Sequence, residues 1–188
     1  MPRLFAGIEI PEDLSEDLAG LEQPLPGARW INPANHHITL RFFGDVPKRT
    51  ADELIDLLAL IQRDIFHVTV CGLSLPNGRE PQALWAGVEN SDALSRLQSD
   101  TERVARSVGL PPEKRTFRPH ITVARLNRPH EFALARILQR HARLQITPFV
   151  VPRFVLYSSK PHSGGGPYVI EQIFPLIGGS WDDEATAW

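Results

Sequence analysis

Two tetrapeptides, HITL at residues 37–40 and HITV at 120–123, repeat one set of reactive side chains 83 positions apart, one in each half of the chain. Each lies in an apolar, β-favouring run. Side chains at i and i+2 of a strand share a face, so His37 projects beside Thr39 and His120 beside Thr122. Ile38, Leu40, Ile121 and Val123 are then expected to point into a core. An unperturbed imidazole pKa of about 6.5 allows neutral and protonated forms to coexist near neutrality. Such a pair suits a phosphodiester. One neutral histidine takes a proton from the attacking oxygen, a protonated one supplies the leaving oxygen, and the threonine hydroxyls donate to the phosphoryl oxygens. General acid or base action is worth about 10² to 10⁴ in rate, so two such groups could run the reaction without metal. A lone His-x-Thr arises often by chance; the repeat in matching contexts is what carries information.

Other side chains rank below these four. His36 alternates with the core face and is expected at a strand end or behind the site. His67, His130, His141 and His162 fall outside any repeated pattern and read as surface or structural. No HExxH or carboxylate cluster with metal-ligand spacing occurs, so no metal is expected. By strict alternation Arg41 shares a face with His37, and Arg118 with His120. The same rule turns Arg125 away from His120 unless the strand ends or bulges. Residues 114–128 hold Lys114, Arg115, Arg118, Arg125 and Arg128 with no Asp or Glu, a local attraction for the phosphates of a polyanion. Trp30 and Trp85 read as core or cleft-wall residues, Tyr157 as a candidate cleft lining, and Cys71 as a small buried hydrophobe. SGGGP at 163–167 reads as a hairpin turn.

The elements that must hold these residues follow from period. LFAGIEI (4–10) reads as a buried strand, followed by a helix opening with Pro11, Glu12 and Asp13. ARWI and NHHITLRFFG read as strands, then a helix over about 48–62. HVTVCGLSL (67–75) and ALWAGVE (83–89) read as strands, before a helix over about 91–108. FRPHITVARL, a helix over about 130–142, and strands within 146–160 and 167–176 complete the pattern. No linker divides the 188 residues, of which 42% are hydrophobic, so a single α+β unit over 1–177 is expected, with two interlocked lobes of largely antiparallel sheet. The acidic tail 178–188 is expected to be mobile. A net charge of −2 builds in no global attraction to nucleic acid or membrane. One cysteine, no apolar run of membrane-spanning length and no signal peptide fit a cytoplasmic protein.

With the two His-x-Thr motifs, LFAGIEIP, HITLRFFGDV, LWAGV, FRPHITVAR and VLYSSKPHSGGGPYVI...FPL occur in an order that resembles the two-histidine phosphoesterases, specifically the RNA 2′,3′-cyclic phosphodiesterase or 2′-5′ RNA ligase-like family, over residues 3–177. The resemblance implies a bilobal fold with pseudo-two-fold symmetry, helices outside and a cleft between lobes. It also implies metal-independent hydrolysis of RNA 2′,3′-cyclic phosphate ends to 2′-phosphates; the expected ligands are such ends or related cyclic nucleotides, and the expected protein is a monomer without cofactor. His37 resembles the proton donor, His120 the acceptor, and Thr39 and Thr122 the phosphate-binding hydroxyls. Phe42 and Arg125, each five residues after its histidine, resemble a base-stacking residue and a phosphate or nucleotide contact. Two alternatives stay open: 2′-5′ ligation at the same site, and a non-catalytic module that binds RNA ends.

Overall fold

The computed structural model describes residues 3–78, 80–159 and 166–179. The chain runs β1 (Arg3–Glu9), α1 (Glu12–Ala19), β2 (Ala28–Trp30), a 3-10 turn (Pro33–Asn35), β3 (His37–Asp45), α2 (Lys48–Leu58), β4 (Phe66–Val68), β5 (Val70–Ser74) and β6 (Ala83–Val88). It continues through α3 (Asp92–Ser107), β7 (His120–Leu126), α4 (Glu131–Arg140), β8 (Phe149–Val151), β9 (Arg153–Ser159) and β10 (Tyr168–Pro175). The stretch 67–75, expected as one strand, is split at Thr69 between β4 and β5, which lie in different sheets. Pro152, which cannot donate to a ladder, likewise separates β8 from β9. Residues 160–165, with His162, and residues 180–188 lie outside the described residues.

Eight strands form one antiparallel sheet in the order β10-β9-β1-β3-β7-β6-β5, with β2 beside β7. Its halves are interlocked: C-terminal β9 and β10 join β1 and β3, while N-terminal β2 joins β5, β6 and β7. The halves meet at one residue pair, Ile38 with Ile121. Beyond it β3 and β7 part, and β2 continues along β7 from Ala124 to Leu126. All four helices bury their apolar stripes against one face of the sheet. Leu14 and Leu18, Leu54 and Leu58, Leu94 and Leu97, and Leu134 and Ile137 share a core with Ile8, Ile38, Leu84 and Ile121. The helix starts are locally specified: the Ser91 hydroxyl accepts from the Leu94 amide at 3.2 Å, and the His130 Nδ1 from the Ala133 amide at 3.3 Å. The opposite sheet face carries a small separate cluster of Phe5, Val155 and Tyr157. No helix among the described residues is long and apolar enough to cross a membrane.

The two His-x-Thr strands bend in the same way. Ala6 pairs with Arg41 but Gly7 with Thr39, which leaves Leu40 as an extra residue in β3. Leu84 pairs with Ala124 but Trp85 with Thr122, which leaves Val123 extra in β7. A bulge resets the alternation, so Leu40 and Arg41 are both buried, as are Val123 and Ala124. Phe42 and Arg125 thereby return to the face of the histidines. Arg41 does not share that face, contrary to strict alternation. It is 7% exposed, pairs with Glu102 of α3, and donates to the Pro111 carbonyl at 2.6 Å and to the Phe42 carbonyl.

Candidate active site

The Ile38–Ile121 register sets His37 opposite Thr122 and Thr39 opposite His120, all on the face away from the helices. Each imidazole is oriented by a carbonyl two residues upstream: His37 Nδ1 lies 2.8 Å from the Asn35 oxygen, and His120 Nδ1 2.7 Å from the Arg118 oxygen. A carbonyl only accepts, so both Nδ1 atoms carry hydrogen and each neutral ring keeps Nε2 as its basic atom. His37 Nε2 accepts from the Thr39 hydroxyl at 3.1 Å. The 3-10 turn that supplies the Asn35 carbonyl is capped by Asn32, whose side chain accepts from the Ala34 amide at 3.0 Å.

The aromatic surroundings differ on the two sides. His37 sits within 4.9 Å of the Phe5 ring, 5.6 Å of Tyr157 and 5.0 Å of Tyr168, the last edge-on. His120 is stacked on Trp85, centroids 3.7 Å apart. Burial pushes the His37 pKa down to about 4, against the Asn35 hydrogen bond that raises it, with the charges of His120 and Arg125 adding to the fall. His120 is lowered too, chiefly by burial and then by Arg125, Arg118 and Arg115. Both rings are therefore neutral at pH 7 in the free protein. The arginines that lower them make the face attractive to an anion.

Arg125 is exposed beside the site, opposite Arg29 of β2. Phe42 is 41% exposed and its ring lies 6.4 Å from Phe5. Arg118 is exposed and contributes its carbonyl to His120. Tyr157 is buried, stacked on Phe5 at 4.9 Å, and its phenol is raised by burial and by the Glu9 carboxylate. His36 is buried against the opposite face, with a pKa lowered by burial and no partner for its Nδ1 among the described residues. Phe5, Tyr168 and Glu9 escaped the sequence reading. Phe5 and Glu9 share a parity in β1 with Gly7, but LFAGIEI is apolar on both faces and its alternation is muted. Among the described residues, no group of three or more His, Cys, Asp or Glu is placed to hold a metal ion.

A sheet face with paired histidines and threonines at the junction of two interlocked halves defines the architecture of a two-histidine phosphoesterase. The family model for LigT-like phosphoesterases matches residues 8–85 and 87–168, and the chain belongs to that family. It is similar to an RNA 2′,3′-cyclic phosphodiesterase of Aquifex aeolicus, 30% identical over 94% of this chain and 98% of the relative. A second protein of that name, from Methanothermobacter thermautotrophicus, is 27% identical over 93% of this chain and 98% of its own. In fold the chain is similar to TT0787 of Thermus thermophilus, with a TM-score of 0.77 and 22% identity over 93% of this chain and 97% of that one. It is also similar to Escherichia coli LigT complexed with 3′-AMP, with a TM-score of 0.71 and 23% identity over 94% and 99%.

Proposed function

We propose that the protein hydrolyses 2′,3′-cyclic phosphate ends of RNA to 2′-phosphomonoesters by general acid and base catalysis, without metal. The observation that carries this reading is the crossed arrangement of His37 opposite Thr122 and Thr39 opposite His120 on one face. A phosphate over the Ile38–Ile121 pair meets an imidazole and a hydroxyl from each strand. His120, neutral and held by the Arg118 carbonyl, takes a proton from water through Nε2 as the water oxygen attacks phosphorus. The P–O3′ bond breaks, and O3′ takes its proton from His37. His37 is neutral in the free site, so it must gain that proton when the anionic substrate enters and offsets the penalty of burial. Thr39, Thr122 and Arg125 stabilise charge on the phosphoryl oxygens, and Phe42 offers an exposed ring to a base. The names of the relatives, RNA 2′,3′-cyclic phosphodiesterases, support the same substrate class.

The deciding experiment treats an oligonucleotide bearing a 2′,3′-cyclic phosphate with protein and chelator, and follows the product by phosphorus NMR. The expected result is a 2′-phosphomonoester, lost with His37→Ala or His120→Ala. Full activity in both variants, or dependence on added metal, overturns the proposal.

A further inference from the structure

The two halves of the site match in their histidines and differ in the residues beside them. Glu9 is the cross-strand neighbour of His37, and Gly87 is the cross-strand neighbour of His120. The approximate two-fold that exchanges the histidines thus exchanges Glu9 with Gly87. On the first side the position is filled by a carboxylate, held by Arg153 at 2.6 Å. On the second it is bare, and no side chain fits, because a Cβ at Gly87 would stand 2.7 Å from the Cys71 carbonyl oxygen.

Beyond Gly87 lies a groove of about 510 Å³. Cys71, the partner of Gly87 on β5, lines it together with Ser74, and the chain after α4 brings Arg143 and Gln145 to its far side. Ala86 and Val88 are buried in the helix-side core, so Gly87 lies on the face that carries His120, with the Cys71 backbone directly beside it. From His120 across Gly87 to Cys71 is two interstrand steps, about 10 Å. Arg143 is exposed and has no ion-pair partner among the described residues.

We infer that this groove holds the nucleotide that precedes the cyclic-phosphate end of an RNA strand; the inference rests on the hydrolysis proposed above. The Glu9–Arg153 pair fills the His37 side with side chains, whereas Gly87 adds none on the His120 side and Arg143 offers a cation to the next phosphate. Ser74 and the Gln145 amide supply donors and acceptors for sugar and base. The site is thus built for strands longer than one nucleotide, with a cyclic mononucleotide filling only its centre.

The test compares kcat/KM for a 2′,3′-cyclic mononucleotide and for a trinucleotide with the same end, in the parent protein, in Arg143→Glu and in Gln145→Trp, which fills the groove without changing charge. The parent is expected to prefer the trinucleotide. Both variants lose about ten-fold on it through KM and stay within about two-fold on the mononucleotide, and Arg143→Glu lowers the salt slope for the trinucleotide by about one. Equal losses on both substrates, or none on the trinucleotide, overturn the inference. Binding of a trinucleotide 3′-phosphate, followed by fluorescence anisotropy against a nucleoside 3′-monophosphate competitor, reads the groove without turnover. If the parent cleaves neither substrate, the hydrolysis proposal fails, and a binding loss confined to the trinucleotide still upholds the groove, while unchanged binding rejects it.

Discussion

Ile38 and Ile121 form the one residue pair that joins the two halves of the sheet, and both are fully buried. That contact fixes the site. Because the strands are antiparallel, the pair sets each histidine opposite the threonine of the other motif, on the face away from the helices. A one-residue slip of β3 would turn His37 and Thr39 into the helix-side core and leave His120 and Thr122 without them.

Replacing His37 or His120 by alanine is expected to lower kcat on a cyclic-phosphate oligonucleotide by about 10² to 10⁴ each. The double variant should lose less than the product of the two, since acid and base act in one step. Steady-state rates on the three variants check this.

Thr122→Val removes one donor to the phosphoryl oxygens and keeps the side-chain shape. The expected loss is about 10² in kcat, with little change in KM for substrate. A loss confined to KM would show that the hydroxyl binds the ground state and transition state alike.

Phe42→Ala removes an exposed ring, so the urea midpoint should move little. KM for nucleotide substrates should rise by about ten-fold or more, as expected for losing one base-aromatic stack. Urea titration and substrate kinetics on the same preparation separate the two effects.

Arg41→Met leaves Glu102 without its partner in a largely buried setting and frees the Phe42 and Pro111 carbonyls. The expected cost is about 2 to 3 kcal/mol, below the range for a fully buried pair because Glu102 keeps some contact with water. Pairing it with Glu102→Leu should recover much of the loss. Urea denaturation of the single and double variants reads both.

Stability should fall with acid in a way that His37 controls. Its folded pKa, about 4, lies below the unfolded value near 6.5, so the unfolded chain binds the extra proton between these limits and stability rises with pH across that window. From pH 7 to pH 4.5 the contribution lost is about 2 to 3 kcal/mol. His120 and His36 shift in the same direction and add to it. His37→Asn should flatten the profile, and inorganic phosphate should flatten it in the parent by favouring the charged rings. Urea denaturation at several pH values measures each slope.

What the sequence by itself determined is the identity of the candidate side chains and their parity within a strand. The HITL and HITV repeat selects His37, Thr39, His120 and Thr122 because i and i+2 share a face wherever a strand is regular. The mixed helix and strand pattern follows from the same local periods, as does the placing of His36 behind the site. The tertiary structure decided where regularity stops. The extra residues Leu40 and Val123 exist only in relation to the partner strands β1 and β6, so no property of HITLRF or HITVAR taken alone shows that Arg41 goes into the core while Phe42 and Arg125 return to the site. The pairing of Arg41 with Glu102, 61 positions away, and the contrast of Glu9 with Gly87 are likewise long-range facts. Alternation is a local rule, and which residue it skips is set by the neighbouring strand.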